Sequence, residues 1–142
     1  MRLIRLRRKS ILLSLIALLL SFAVWSCEDT VSGGGGGSSI VFPDSGVSYG
    51  RHVQPLFDQT CAFISCHGSD TFTQRGFSLE SYDHLMFGTT VVILRRFPDD
   101  SPLVWRIEGR PGFARMPLNR TPLTDNQIRG MRRWILDGAQ NN

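Results

Sequence analysis

The chain has 142 residues, 42 % of them hydrophobic, and a formal charge of +4 from 16 basic and 12 acidic side chains. Five of the basic residues and none of the acidic ones precede residue 27, so the remainder holds 11 basic against 12 acidic residues, a net charge of −1. That balance gives no electrostatic case for a nucleic-acid partner, which needs a basic stripe to neutralise phosphates, and none is expected.

Arg2, Arg5, Arg7, Arg8 and Lys9 stand before a mainly apolar run from Ile11 to Trp25. A charged start followed by an apolar stretch is the pattern of a secretory signal. The run holds 15 residues, short of the about 20 that a membrane-crossing helix wants. Val24, Trp25, Ser26 and Cys27 resemble the lipobox of bacterial lipoproteins; Val24 and Ser26 fit it and Trp25 matches poorly. We therefore expect residues 1–26 to be a lipoprotein signal peptide and Cys27 to be the acylated residue. The acyl chains would anchor the product to a membrane of the cell envelope, facing the periplasm or the exterior. Residues 27–46, with Gly33 to Gly37 followed by Ser38 and Ser39, have almost nothing to bury and read as a flexible tether. The folded domain is expected over 47–142, small enough that burial alone gives it little reserve and an extra source of core is wanted.

Val53, Leu56, Phe57 and Cys61 fall at i, i+3, i+4 and i+8, so one apolar helical face leads to Cys61, with Pro55 tolerated only in the first turn. Cys61, Cys66 and His67 follow. Two cysteines with a histidine directly after the second have a definite use: each thiol can add to a vinyl group of haem, and the imidazole becomes an axial ligand of the iron. The usual spacing leaves two residues between the cysteines, and here there are four. Two other readings stay open. A disulfide between Cys61 and Cys66 suits an oxidising compartment but leaves His67 unexplained. A zinc site needs four ligands, and beyond this motif only His52 and His84 are available as histidines.

Further along, residues 76–79 are expected to form a loop that delivers Phe77 and Leu79 inward. Ser81 is then placed to cap a short helix through Tyr82, Leu85 and Met86 that ends near Gly88. Asp99 or Asp100 with Ser101 and Pro102 predicts another helix start, carrying Leu103, Val104 and Ile107 as a buried stripe and Trp105 as a large apolar surface. The stretch from Arg110 to Pro117 is too rich in Pro and Gly for a regular element. The last helix is the clearest: Thr124 and Gln127 have capping-box spacing, Ile128, Met131, Trp134 and Ile135 make a wide apolar face, and Gly138 stops it. Arg129, Arg132 and Arg133 lie on its other side, as a solvated face or as a docking patch for an acidic redox partner.

Taken in order, Val53 to Phe57, the Cys61–Cys66–His67–Gly68 motif, Ser78 to Tyr82, Ser101 to Val104, Arg115 to Pro117, Gln127 with Ile128, Trp134 with Ile135, and Gly138 with Ala139 resemble the planctomycete-type cytochrome c domain. The resemblance runs from about His52 to Asn141. It implies an all-α fold, a small cytochrome c-like helical domain wrapped around one covalently bound haem c, with the methionine of the Met-Pro motif, Met116, as sixth ligand. The loop setting of Met116 agrees with that role, because a soft, uncharged thioether can hold iron in either oxidation state. Met86 and Met131 sit on helical faces and read as packing, and His52 or His84 remain the main rivals of Met116 as sixth ligand. Arg110 or Arg115 could pair with a haem propionate.

The expected function is electron transfer with redox proteins as partners, and no enzymatic step. The main alternative is a haem peroxidase or ligand-binding sensor with an open sixth position, for which His52 or His84 would have to act as the distal group. A disulfide-stapled surface interaction module without haem is the third.

Overall fold

The structure, a computed structural model, describes residues 40–142. Residues 1–26, expected to be a signal peptide, Cys27, and most of the stretch read as a tether lie outside the described residues. Every regular element among those described is helical and none is a strand, which agrees with the all-α expectation. No helix there is long and apolar enough to cross a membrane.

A π-type turn, Tyr49–Val53, runs directly into α1, Gln54–Thr60, with Pro55 in its first turn as the sequence requires. Val53 and Leu56 are fully buried and Phe57 nearly so, so the apolar face that leads to Cys61 is real. A 3-10 turn, Ser69–Thr71, precedes the one-turn α2, Phe72–Arg75, which ends at Gly76 in the left-handed region, φ 76°. A Cβ at Gly76 would come within 2.5 Å of the hydroxyls of Thr89 and Thr90, so both conformation and space demand glycine.

Helix α3, Tyr82–Met86, starts at Ser81, whose hydroxyl accepts from the His84 amide. Helix α4, Pro102–Glu108, follows a 3-10 turn, Pro98–Asp100, that contains both candidate aspartates. Ser101 occupies the cap position, but its buried hydroxyl turns away from the helix to donate to the carbonyl of Phe97 (2.8 Å) and accept from the amide of Leu94 (2.9 Å). Helix α5, Asp125–Leu136, opens with a complete Thr124/Gln127 capping box. It packs against α4 and the Pro98–Asp100 turn. Met131, Trp134 and Ile135 are buried on one side of it, with Ile128 partly covered.

The folded unit starts before Val47. Phe42, at 3 % exposure, lies against Gly130 of α5, where an added Cβ would sit 2.2 Å from its ring. Asn126 bonds Phe42 twice, accepting from its amide (2.8 Å) and donating to its carbonyl (2.9 Å), while Gln127 donates to the carbonyl of Ile40 (3.1 Å). The end of the segment read as tether is thus a strap across the last helix.

Candidate functional site

The segment after α1 is a tight, over-determined loop. The carbonyl of Phe63 accepts from the amides of both Cys66 and Gly68, at 3.0 Å each. Thr71 donates through its hydroxyl toward the carbonyls of Cys66 and Gly68, and Asp70 accepts from the Ser65 amide. Ser65 takes a left-handed φ of 65° between the cysteines. Gly68, directly after His67, has no room for a side chain: a Cβ would lie 2.7 Å from the Asp70 carboxylate and 3.0 Å from the Phe63 carbonyl. The carbonyl of His67 accepts from the Leu79 amide (2.8 Å), which fastens the motif to the loop over 76–79.

That fastening brings Phe77 flat against the imidazole, ring centroids 5.2 Å apart and stacked. The inward delivery of Phe77 and Leu79 expected from the sequence is therefore present. His67 buries its Nδ1 with no hydrogen-bond partner. Burial, reinforced by the positive charge of Arg75, pushes its pKa below the ordinary histidine value, so the imidazole is held neutral, the form in which it ligates a metal.

A cavity of about 440 Å³ opens beside this loop, within the range of about 300–1,000 Å³ usual for small-molecule and cofactor sites. Phe57, Phe77, Leu79, Val92, Leu103 and Ile107 make most of its apolar wall, and Cys61, His67 and Met116 all face into it. It reaches the surface, since Arg75 is exposed and Val91, also in the wall, is 63 % exposed. Cys61 is half-buried at the end of α1, its sulfur 3.1 Å from the Thr60 hydroxyl. Burial pushes the Cys61 thiol up, against the hydrogen bond shared with Thr60 and the charge of Arg120, and keeps it protonated.

The structure thus brings three of the four expected cofactor residues together and leaves the fourth, Cys66, on the exposed part of the loop, outside the wall. Cys61 and Cys66 are both free thiols. Met116 arrives from the far side, on the loop after α4. Its amide donates to the carbonyl of Arg106 (2.9 Å), and the loop is weighted onto α4 by the ring of Phe113 against Trp105, centroids 5.0 Å apart.

The rival ligands are engaged elsewhere. His52 accepts from the Ser48 amide through Nδ1 (3.0 Å), and the Nδ1 of His84 shares a hydrogen bond with the Ser78 hydroxyl (3.0 Å). Neither lines the cavity, nor do Met86 and the fully buried Met131. Among the described residues no three His, Cys, Asp or Glu side chains gather as a tetrahedral zinc site would need.

The arginines are distributed differently from the expectation. Arg110 pairs with Glu108 (2.8 Å) and Asp99 (3.3 Å), not with anything in the cavity, and Arg115 folds its side chain over Gly109. Arg75 and Arg106 are the guanidiniums in the cavity wall. Their local sequence carries no signal of this, because the approach of α2 and α4 to one space is a tertiary event. On α5, Arg132 pairs with Asp99 (2.7 Å) and Glu108 (2.8 Å), and Arg133 with Asp137 (2.8 Å). Two members of the suggested docking patch are therefore neutralised within the domain.

No protein-family model matches this chain, and no curated protein or solved structure is recognisably similar to it.

Proposed function

We propose that this chain is an electron carrier of the c-type cytochrome kind, with one covalently attached haem c filling the cavity, and that it resembles the planctomycete-type domain for that reason. The observation that carries the reading is that Cys61 and His67 of the motif loop and Met116 from the loop after α4 share one apolar cavity. A haem iron, when bound, takes up and gives up one electron by cycling between its ferric and ferrous states.

Three of the four residues expected to hold that group line the cavity, and Cys66 lies on the exposed part of the same loop. Cys61 and Cys66 would hold it through thioether bonds, and His67 and Met116 through a nitrogen and a sulfur donor. The neutral imidazole is ready to donate a lone pair, and the backbone bonds of His67 and Met116 hold both donors in place without using their side chains. Phe57, Phe77, Leu103 and Ile107 exclude water, which lowers the local dielectric and favours the less charged, reduced form. An occupant of this size also supplies the apolar core that a domain of this length is short of. The peroxidase alternative has less behind it, since His52 and His84 are held away from the cavity by Ser48 and Ser78.

We read the whole as a lipoprotein, with the signal peptide over 1–26 and Cys27 acylated, that presents its cytochrome domain to redox partner proteins in the cell envelope. The test is a denaturing gel of the full chain, expressed together with a haem-attachment system and stained for haem. The wild type should give a haem-positive band, because covalent attachment survives denaturation, and Cys61→Ala and Cys66→Ala should weaken or abolish it. A haem-negative wild type overturns the reading. Cys27→Ser should move the stained band from the membrane to the soluble fraction.

A further inference from the structure

We propose that Arg75 and Arg106 are the carboxylate clamp of the cavity, each meeting an acidic substituent of its occupant and keeping it ionised. The proposal rests on the haem reading, under which those substituents are the two propionates.

The cavity wall contains two guanidiniums and no aspartate or glutamate. This is not the habit of the domain elsewhere. Arg110 and Arg132 share Asp99 and Glu108, and Arg133 takes Asp137. Among the described residues Arg75 and Arg106 take part in no ion pair, and the closest polar contact of the Arg106 guanidinium is a long one, 3.4 Å, to the carbonyl of Ala114. A wholly apolar occupant would gain nothing from two such groups. One with an apolar body and two anionic arms would satisfy both, since a guanidinium matches a carboxylate with paired donors.

Both side chains issue from fixed backbone. Arg75 is the last residue of α2, immediately before the left-handed Gly76, which is packed on Thr89 and Thr90. Arg106 is on α4, its guanidinium 5.4 Å from the ring of Phe113 and its carbonyl bonded to the Met116 amide. A carboxylate held on Arg106 is therefore tied to the loop that carries Met116, which makes Arg106 a positioning residue for that loop as well as a binding residue.

The measurement is the midpoint potential of the purified, haem-loaded full chain from pH 5 to 9, for wild type, Arg75→Gln, Arg106→Gln, Arg106→Lys and Arg129→Gln. Arg129 is exposed on α5 and lies outside the cavity wall, so it reports the effect of removing a distant charge. In the wild type the potential should be nearly independent of pH between 5 and 8. In each glutamine variant at the cavity the potential should fall at neutral pH, because an uncompensated carboxylate favours ferric iron. A pH-dependent step should also enter that window, its apparent pKa raised by about one unit or more, the size of shift a neighbouring guanidinium imposes. Arg106→Lys should restore most of the wild-type profile.

Arg75 is exposed and unpaired, so its variant tests the clamp even where Arg106→Gln disturbs the Met116 loop. If both glutamine variants follow Arg129→Gln, the clamp is overturned while the haem reading stands. A wild type without haem overturns the two together.

Discussion

The last helix and the cavity loops treat their polar groups in opposite ways. On α5 each end and most of the charged face are closed within the protein: the capping box is complete, Arg132 bridges Asp99 and Glu108, and Arg133 bridges Asp137. Around the cavity the equivalent groups are open, with a buried His67 Nδ1 lacking a partner and two arginines lacking a carboxylate. Leaving a buried polar group unsatisfied costs about 1–3 kcal/mol, so a protein tolerates it chiefly where something else will satisfy it. The difference separates what the chain satisfies within itself from what, on the proposed reading, it leaves for a ligand.

Two changes on α5 probe the self-sufficient side. Trp134→Ala should have the largest effect, a loss of about 3–5 kcal/mol with or without haem, read from urea denaturation. The indole is 1 % exposed, lies 5.5 Å from Tyr49, and donates to the Gln140 carbonyl (2.9 Å). Gly130→Ala comes next. In an ordinary helix interior alanine would stabilise by up to about 1 kcal/mol, but here the Cβ would collide with the Cβ and ring of Phe42. The net outcome should be destabilisation of about 1–3 kcal/mol, as for other overpacked sites. Adding Phe42→Ala should cancel the penalty at Gly130. Two additive losses would show that the strap does not bear on α5.

Much of this contrast is legible in the sequence. The Thr124/Gln127 box, the Ser81 cap, and the Val53–Leu56–Phe57 face leading to Cys61 are local patterns, set by periodicity and by the chemistry of helix ends. Met116 in a Pro- and Gly-rich loop was likewise distinguishable from Met86 and Met131 on helical faces. What escaped is tertiary. Phe42 is a single aromatic beside a glycine-rich stretch, and its docking depends on the hollow left by Gly130, far away in sequence on the last helix. Ser101 sits at the cap position, yet its hydroxyl is claimed by Phe97 and Leu94, a competition invisible in the residue's own neighbourhood. The same holds for the arginines: Arg110 and Arg115 are nearer to Met116 in sequence, but α2 and α4 bring Arg75 and Arg106 to the cavity wall.

The comparison predicts an effect of opposite sign at the cavity. In protein made without a haem-attachment system, His67→Phe should raise stability by about 1 kcal/mol, because it removes the unsatisfied Nδ1 and keeps a ring against Phe77. The same substitution should abolish a low-spin haem spectrum in the loaded protein. A ligand-free variant that denatures earlier than its parent would show that the imidazole already supports the fold, and the contrast between the two regions would fail.

The smallest effect belongs to Asp99, where the contrast can be sharpened by pH. Its carboxyl is held below the ordinary aspartate range, first by the hydrogen bond and charge of Arg132 and then by Arg110. The group is fully exposed, so salt and water screen most of what these contacts give. The sign follows from the direction of the shift: a carboxyl whose folded pKa is depressed stabilises the fold above its unfolded value, about 3.9, and loses that contribution as pH falls through the folded one. Asp99→Asn should therefore lower the urea midpoint slightly at pH 7, by less than any variant above. The gap between the two proteins should narrow in high salt and close as the pH falls through the depressed folded pKa of Asp99, where the wild-type carboxyl is protonated as well. A gap that persisted at low pH would mean that Asp99 acts through shape and hydrogen bonding at the start of α4, where its carbonyl accepts from the Trp105 indole (2.6 Å) and from Arg110 (2.8 Å), and not through its charge. The charge account requires α5 to be held to α4 by carboxylates that the chain supplies, in the same way that Arg75 and Arg106 are left for carboxylates it does not.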